Sequence, residues 1–259
     1  MTDDDAPFSV RHNLGTNFSA TEGGIATRFS DNSGVMVFLF GGMPIRNTAP
    51  FQLLGTTSRF EVDRIYLRDL RRAWYQLGLA PYTSCVDDTA AFLCELIVER
   101  APRRVVTVGI SAGGFAAMLF GHLLGADEVH AFSPRTYIDI DNRLENDDFF
   151  MDDRMEEIYA AADAQPEYFD LKPLLAAAPD SKTTYCVHFA PDRRIDPIHA
   201  RRVAGAPNVK LYEYDGGGHQ LARLLRNDGR LVEIIGAAIA GRTKAPTGEI
   251  IRTLDSERA

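Results

Sequence analysis

The residues best spaced to do chemistry are Gly109, Ile110, Ser111, Ala112 and Gly113. The apolar run RRVVTVGI leads into them and the small-residue stretch AGGFAAMLFGHLLG follows, so the serine stands where a strand gives way to a helix. Such a turn is sharp. It tolerates only tiny side chains two residues before and after the serine, a need that Gly109 and Gly113 meet. The hydroxyl then projects at the carboxyl edge of the sheet, and the Ala112 N–H, at the positive end of the helix, can receive a developing oxyanion. A bare GxSxG also arises by chance, and Gly-rich turns cradle phosphates in dinucleotide folds. Here GxGxxG is absent and the turn falls mid-chain, which favours a nucleophile.

A serine hydroxyl is a poor nucleophile at neutral pH and needs a base within hydrogen-bond reach. Of the six histidines, His122 falls within the helix after Ser111 and His188 within a strand, positions that suit packed or hydrogen-bonded core residues. His12 and His130 carry no informative context. His219 follows the strand NVKLYEY through DGGG, a loop flexible enough to return an imidazole to the serine. The carboxylate that holds the far ring nitrogen belongs just past the preceding strand, TTYCVHF, where Asp192 and Asp196 both qualify. Asp196 stands before Pro197 at a helix start and is preferred; the other aspartate is then free to cap a helix. His199, three residues further on, is a lesser rival to His219.

GISAGG, the segment PDRRIDPIHA and GGGH give the chain a resemblance to the α/β-hydrolase superfamily that runs from Val35 to Ala240. The resemblance implies a Ser111, Asp196, His219 triad with Asp192 as the alternative acid, a covalent acyl-enzyme and hydrolysis of an ester or small acyl compound. It implies no metal or organic cofactor. The second oxyanion donor belongs to the loop after VMVFLF, where FGGM replaces the His-Gly pair of many superfamily members and leaves Gly42 and Met43 as alternatives beside Ala112. An acyltransferase delivering the acyl group to a sugar or other alcohol would use the same triad. Parts of the chain also resemble hydrolase-like proteins linked to polysaccharide biosynthesis, so a carbohydrate-linked small molecule is among the expected substrates. A non-catalytic binding protein on the same fold is the reading from a different class.

The elements that must position these residues alternate in type. VMVFLF reads as a central strand covered on both faces. RIYLRD is a second strand, the pattern from Asp87 to Glu99 a helix ended by Pro102, and DEVHAF another strand before residues 183–189, a helix near Pro197 to Val203, residues 208–214 and a closing helix pair through Ala240. This alternation predicts an α/β class protein, a mostly parallel central sheet with helices on both faces. Phe8 to Arg11 and Ile25 to Phe29 suggest a leading antiparallel pair turned by Gly23 and Gly24. Residues 135–180 break the rhythm: they are acidic, aromatic and helix-prone, and read as an inserted lid. Trp74 and Tyr75 suit a helix anchored by buried aromatics better than a sugar-stacking platform. The tail over 242–259 is polar and reads as loose.

At 259 residues, 45% hydrophobic and 25% charged, the chain is expected to form one domain over 1–259 with a sizeable core. A net charge of -8 excludes a sequence-independent nucleic-acid binder, which needs a basic surface. MTDDDAPFSV is acidic where a secretion signal is basic and then apolar, and no segment approaches the roughly 20 apolar residues of a membrane span, so a cytoplasmic location is expected. Cys85, Cys94 and Cys186 lack metal-site spacing and read as free thiols in packed positions.

Overall fold

The computed structural model describes residues 23–31, 34–43, 50–242 and 250–254. The short β-branched and aromatic runs form the strands Ile25–Arg28 (β1), Val35–Phe40 (β2), Asp63–Leu67 (β3), Arg104–Ile110 (β4), Glu128–Phe132 (β5), Thr184–Phe189 (β6), Val209–Tyr214 (β7) and Ile250–Leu254 (β8). They hydrogen-bond in the order β1-β3-β2-β4-β5-β6-β7-β8. β2 to β7 are mutually parallel, and β1 on β3 and β8 on β7 run antiparallel at the two edges. The expected mostly parallel sheet is therefore present.

Because strand side chains alternate, each central strand feeds two cores. Met36, Phe38 and Phe40 of β2 pack with Val129, Val187 and Leu211 beneath the helices Val86–Arg100 and Ala112–Leu123. Val37 and Leu39, with Val106, Val108 and Phe132, pack beneath Leu221–Asn227 and Arg230–Ile239. Helices thus cover both faces. The parallel register sets Phe40 opposite Gly109 and Ile110 opposite Phe132, so that the loops after β2, β4 and β5 leave the sheet along one edge. No described helix is long and apolar enough to cross a membrane.

Between β5 and β6 lie the helices Ile140–Glu145, Asp152–Ala160 and Leu171–Ala176 and a 3-10 turn at Pro166–Tyr168. Ile138, Met155, Ile158, Phe169, Leu171 and Leu175 from this segment are buried in the first core, whereas Phe149 and Phe150 are largely exposed.

Three sequence expectations need correction. Residues 242–259 are not loose throughout: β8 closes the open edge of β7, as the β-branched Ile250, Ile251 and Thr253 allow. Trp74 and Tyr75 are buried but not helical, since Arg72, Trp74 and Tyr75 all take positive φ, at 57°, 48° and 62°. Cys94 is exposed; Cys85 is half-buried, Cys186 buried, and all three thiols are free. Of the leading pair, Ile25–Arg28 forms β1 against β3, while Phe8 to Arg11 lies outside the described residues.

The turn at 70–78 is organised by one side chain. Buried at the end of β3, Asp69 accepts backbone N–H bonds from Arg71 (3.0 Å), Ala73 (2.5 Å) and Tyr75 (3.0 Å). The turn so formed lets Tyr75 Oη donate to the Gly41 carbonyl at 2.8 Å, which ties it to the loop after β2. Asp69→Ala leaves those N–H groups without their acceptor and is expected to cost about 3 kcal/mol or more. Urea denaturation of the variant against the parent measures this, and an unchanged midpoint would refute the role given to Asp69.

Candidate active site

Ser111 occupies the junction between β4 and the helix Ala112–Leu123 with φ 54° and ψ -117°, a backbone conformation that costs a non-glycine residue on the order of 1–3 kcal/mol. Its surroundings enforce it. A Cβ on Gly109 would fall 1.8 Å from the Gly113 carbonyl oxygen, and one on Gly113 would fall 2.2 Å from that of Phe40. The backbones therefore approach to a distance that only glycine permits. The Ser111 N–H donates to the Phe132 carbonyl at 2.9 Å, and its own carbonyl accepts from Phe115 at 3.1 Å, so the hydroxyl is the one group of this residue left to point outward.

That hydroxyl meets His219. Ser111 Oγ lies 2.7 Å from His219 Nε2, and His219 Nδ1 lies 2.9 Å from Asp196 Oδ1. With the carboxylate on Nδ1, the proton of a neutral ring belongs on Nδ1 and Nε2 is the acceptor for the serine O–H. Asp196 sits in the first turn of Ile195–Arg202 and is 1% exposed; its Oδ2 is buried without a hydrogen-bond partner among the described residues. Asp192, the alternative acid, is exposed and accepts the Gly218 N–H at 2.9 Å. It braces the loop that carries His219 rather than the imidazole. Neither aspartate caps Ile195–Arg202, whose N-cap is Arg194.

Of the oxyanion candidates, Ala112 is the first residue of its helix. Gly42 lies against the turn, since a Cβ there would fall 2.9 Å from the Ile110 carbonyl oxygen and 3.6 Å from Ser111 Cβ. Its N–H, however, donates to Gln52 Oε1 at 3.1 Å. Of the two loop candidates, the Gly42 amide is thus already engaged by Gln52. Gln52 was invisible to sequence reasoning, because nothing in its local context marks a residue ten positions away as a partner of that loop.

Among the described residues the other histidines make other contacts, and His12 lies outside the described residues. His122 bonds to Tyr185 Oη at 3.0 Å. His130 joins Glu128 (2.8 Å) to His188 (3.0 Å), and His188 reaches Tyr214 Oη (2.9 Å). Burial, reinforced by His130, holds His188 well below the usual imidazole range. Glu128, His130 and Cys186 bring possible metal ligands within 4.8 Å of one another, but Glu128 is already paired with Arg104 at 2.5 Å and burial pushes the Cys186 thiol up to about 12. The group serves as a hydrogen-bonded core.

No family model matches the chain, and no curated protein matches it by sequence at a significant level. Solved structures do match by shape. The 2,6-dihydroxy-pseudo-oxynicotine hydrolase superposes with a TM-score of 0.60 at 12% identity, over 87% of this chain and 67% of that one. MenH from S. aureus gives 0.56 at 13% identity, over 85% and 99%. An alpha/beta hydrolase enzyme from a metagenome of lagoon sediments at Mar Chica, Morocco, gives 0.54 at 16%, over 85% and 96%. The chain has the α/β-hydrolase fold, as the sequence resemblance implied.

Behind Asp196 lies a buried cluster that the sequence did not announce. His199, one turn further along the same helix and wholly buried, accepts the Thr136 N–H at Nδ1 (3.0 Å). That leaves its Nε2–H to donate to Asp148 Oδ2 at 3.3 Å, while Arg135 donates to the same carboxylate oxygen. Burial is the largest influence on His199 and holds it down at about 4, with Asp148 opposing and Arg135 assisting. Burial alone would raise Asp148, but the His199 hydrogen bond and Arg135 outweigh it and keep the carboxyl below its usual range.

The sign for stability follows from these directions. A histidine whose folded pKa is depressed binds more protons when unfolded, so its contribution is lost as pH falls from its unfolded value of about 6.5 to about 4, at most about 3 kcal/mol. Asp148, depressed, contributes above its unfolded pKa of about 4 and loses that only below it. Between pH 6.5 and 4.5 the parent should therefore lose stability progressively, through His199 and the likewise depressed His188, and His199→Gln should make the loss smaller without abolishing it. Chemical denaturation of both proteins at pH 7 and 4.5 tests this; an equal loss in the variant would remove His199 from the account.

Proposed function

We propose that the protein is a serine hydrolase that cleaves an ester or other small acyl compound through an acyl-enzyme. The observation that carries this reading is the 2.7 Å contact between Ser111 Oγ and His219 Nε2, on a serine whose backbone is bent outward at the sheet edge. In this reading Ser111 Oγ attacks the acyl carbon as its proton passes to His219 Nε2. Asp196, across 2.9 Å, stabilises the resulting imidazolium and keeps the ring oriented. The tetrahedral oxyanion is received by the Ala112 and Met43 amides, and each such donor typically contributes about 3 kcal/mol to the transition state. His219 then returns the proton to the departing alcohol. Water, deprotonated by the same imidazole, attacks the acyl-enzyme and releases the acid and Ser111. Every step uses side chains and amides of this chain, and the hydrolase-fold neighbours support the class of reaction without specifying a substrate.

A fluorophosphonate probe tests the nucleophile directly. The parent is expected to be labelled and Ser111→Ala not, and a folded parent that resists labelling would sink the reading. The two aspartates separate by magnitude: Asp196→Asn should lower kcat by about 10⁴-fold, the scale seen when a triad carboxylate is neutralised, while Asp192→Asn should cost less than about tenfold, because only the loop brace is weakened. Measuring acyl release from a nitrophenyl ester with and without added alcohols distinguishes hydrolysis from transfer, since a transferase shows a large acceptor-dependent rate.

A further inference from the structure

Two peptide units separate Gly41 from Met43 in the loop after β2, and one side chain reaches both of them. Gly41 and Gly42 have no side chains with which to brace themselves, yet the chain there is pressed against the serine turn. A Cβ on Gly113 would fall 2.5 Å from the Gly41 carbonyl oxygen, and one on Gly42 would fall 3.6 Å from Ser111 Cβ. The direction of each N–H in this loop therefore matters to any charge that forms beside Ser111.

Hydrogen bonds set those directions one peptide at a time. The Gly41 N–H donates to the Leu67 carbonyl at 2.9 Å. In the peptide that follows, the Gly41 carbonyl accepts from Tyr75 Oη at 2.8 Å and the Gly42 N–H donates to Gln52 Oε1 at 3.1 Å, so both of its polar groups are tied. In the next peptide, Gln52 Nε2 donates to the Gly42 carbonyl through a longer bond of 3.5 Å. A trans peptide sets its C=O and N–H on opposite sides of one plane, so a hold on that carbonyl turns the Met43 N–H away from Gln52. The Met43 N–H is the first in the loop with no acceptor among the described residues. Gln52 is itself anchored. Phe51, just before it, is buried beneath the Arg68 guanidinium, 4.2 Å from the ring centroid, and Gln52 Cγ and Cδ lie 3.7 Å from where a Gly41 Cβ would sit.

We propose that Gln52 is a positioning residue for acyl transfer to Ser111: it withholds the Gly42 N–H and directs the Met43 N–H, which is thereby the loop's donor to the oxyanion. This role rests on the hydrolase reading and adds to it a side chain that touches neither Ser111 nor His219.

Gln52→Ala releases both peptides. With 4-nitrophenyl acetate, kcat per fluorophosphonate-titrated site should fall by about tenfold to a hundredfold, short of the roughly 10²–10³-fold cost of losing a donor outright. KM should stay within about twofold, as for an interaction made only in the transition state. An aryl trifluoromethyl ketone, to which the serine adds to give the same kind of oxyanion, should bind more weakly by a similar factor. Gln52→Glu has the same size and keeps an acceptor for the Gly42 N–H, but at neutral pH it has no proton for the Gly42 carbonyl. It should lower kcat by less than Gln52→Ala, again with ketone affinity in step, and it carries the test if the alanine variant does not fold. A residue that only stabilised the fold would shift the urea midpoint while kcat per titrated site and ketone affinity stayed at parental values. That outcome, or parental kcat in both variants, would overturn the role given to Gln52. A folded parent that resists the fluorophosphonate would instead overturn the hydrolase reading beneath it.

Discussion

At Ser111 the chain must turn from a buried strand into a helix within a single residue, while both flanking backbones press against their neighbours. Gly113 stands so close to the Phe40 carbonyl that the helix Ala112–Leu123 cannot slide or rotate without collision, and β4 is fixed between β2 and β5 by hydrogen bonds along its length. The left-handed backbone of Ser111 is the only slack left. Its cost is met by the two packed cores that hold the strand and helix in place, and its return is a hydroxyl held rigidly at the sheet edge rather than on a mobile loop. Oγ is aimed before any ligand arrives.

His219 has no such frame, because it rides on a glycine-rich return from β7. Two carboxylates supply what the backbone does not. Asp192 holds the Gly218 N–H and Asp196 holds the imidazole itself, so the loop is fixed at two adjacent residues by side chains from one short segment after β6. Burial separates the two: Asp196 is 1% exposed, whereas Asp192 is open to solvent.

The parts of this arrangement legible in the sequence are those fixed by local chemistry. Alternating apolar runs gave the strands, and GISAG between a strand and a helix marked Ser111. The approach of residues 111, 196 and 219 to one another followed from the order of strands rather than from any local signal, and the preference for Asp196 over Asp192 rested on Pro197. What escaped was decided at long range. Trp74 and Tyr75 have helix-compatible neighbours, yet the buried Asp69 carboxylate draws their backbone into a turn instead, a case of tertiary contact overriding propensity. Gly42 and Met43 were equivalent until Gln52 took one amide. In the acidic run between 139 and 157 no pattern distinguishes Asp148 from its solvated neighbours, because its role depends on Arg135 and His199 meeting it from separate elements.

That last meeting bears on how the segment between β5 and β6 behaves. The helix bearing Asp196 is held on its far side by Thr136 through His199 and by Asp170 and Asn142 through Arg202, all residues of that segment or its approach. Lifting the segment away would break the Arg202–Asp170 pair and the His199 hydrogen bonds to Thr136 and Asp148, and separating charges that lie largely inside costs several kcal/mol. It would also strip the supports from the helix that carries Asp196. The segment is therefore braced against the helix that carries Asp196, with Phe149 and Phe150 exposed at its tip.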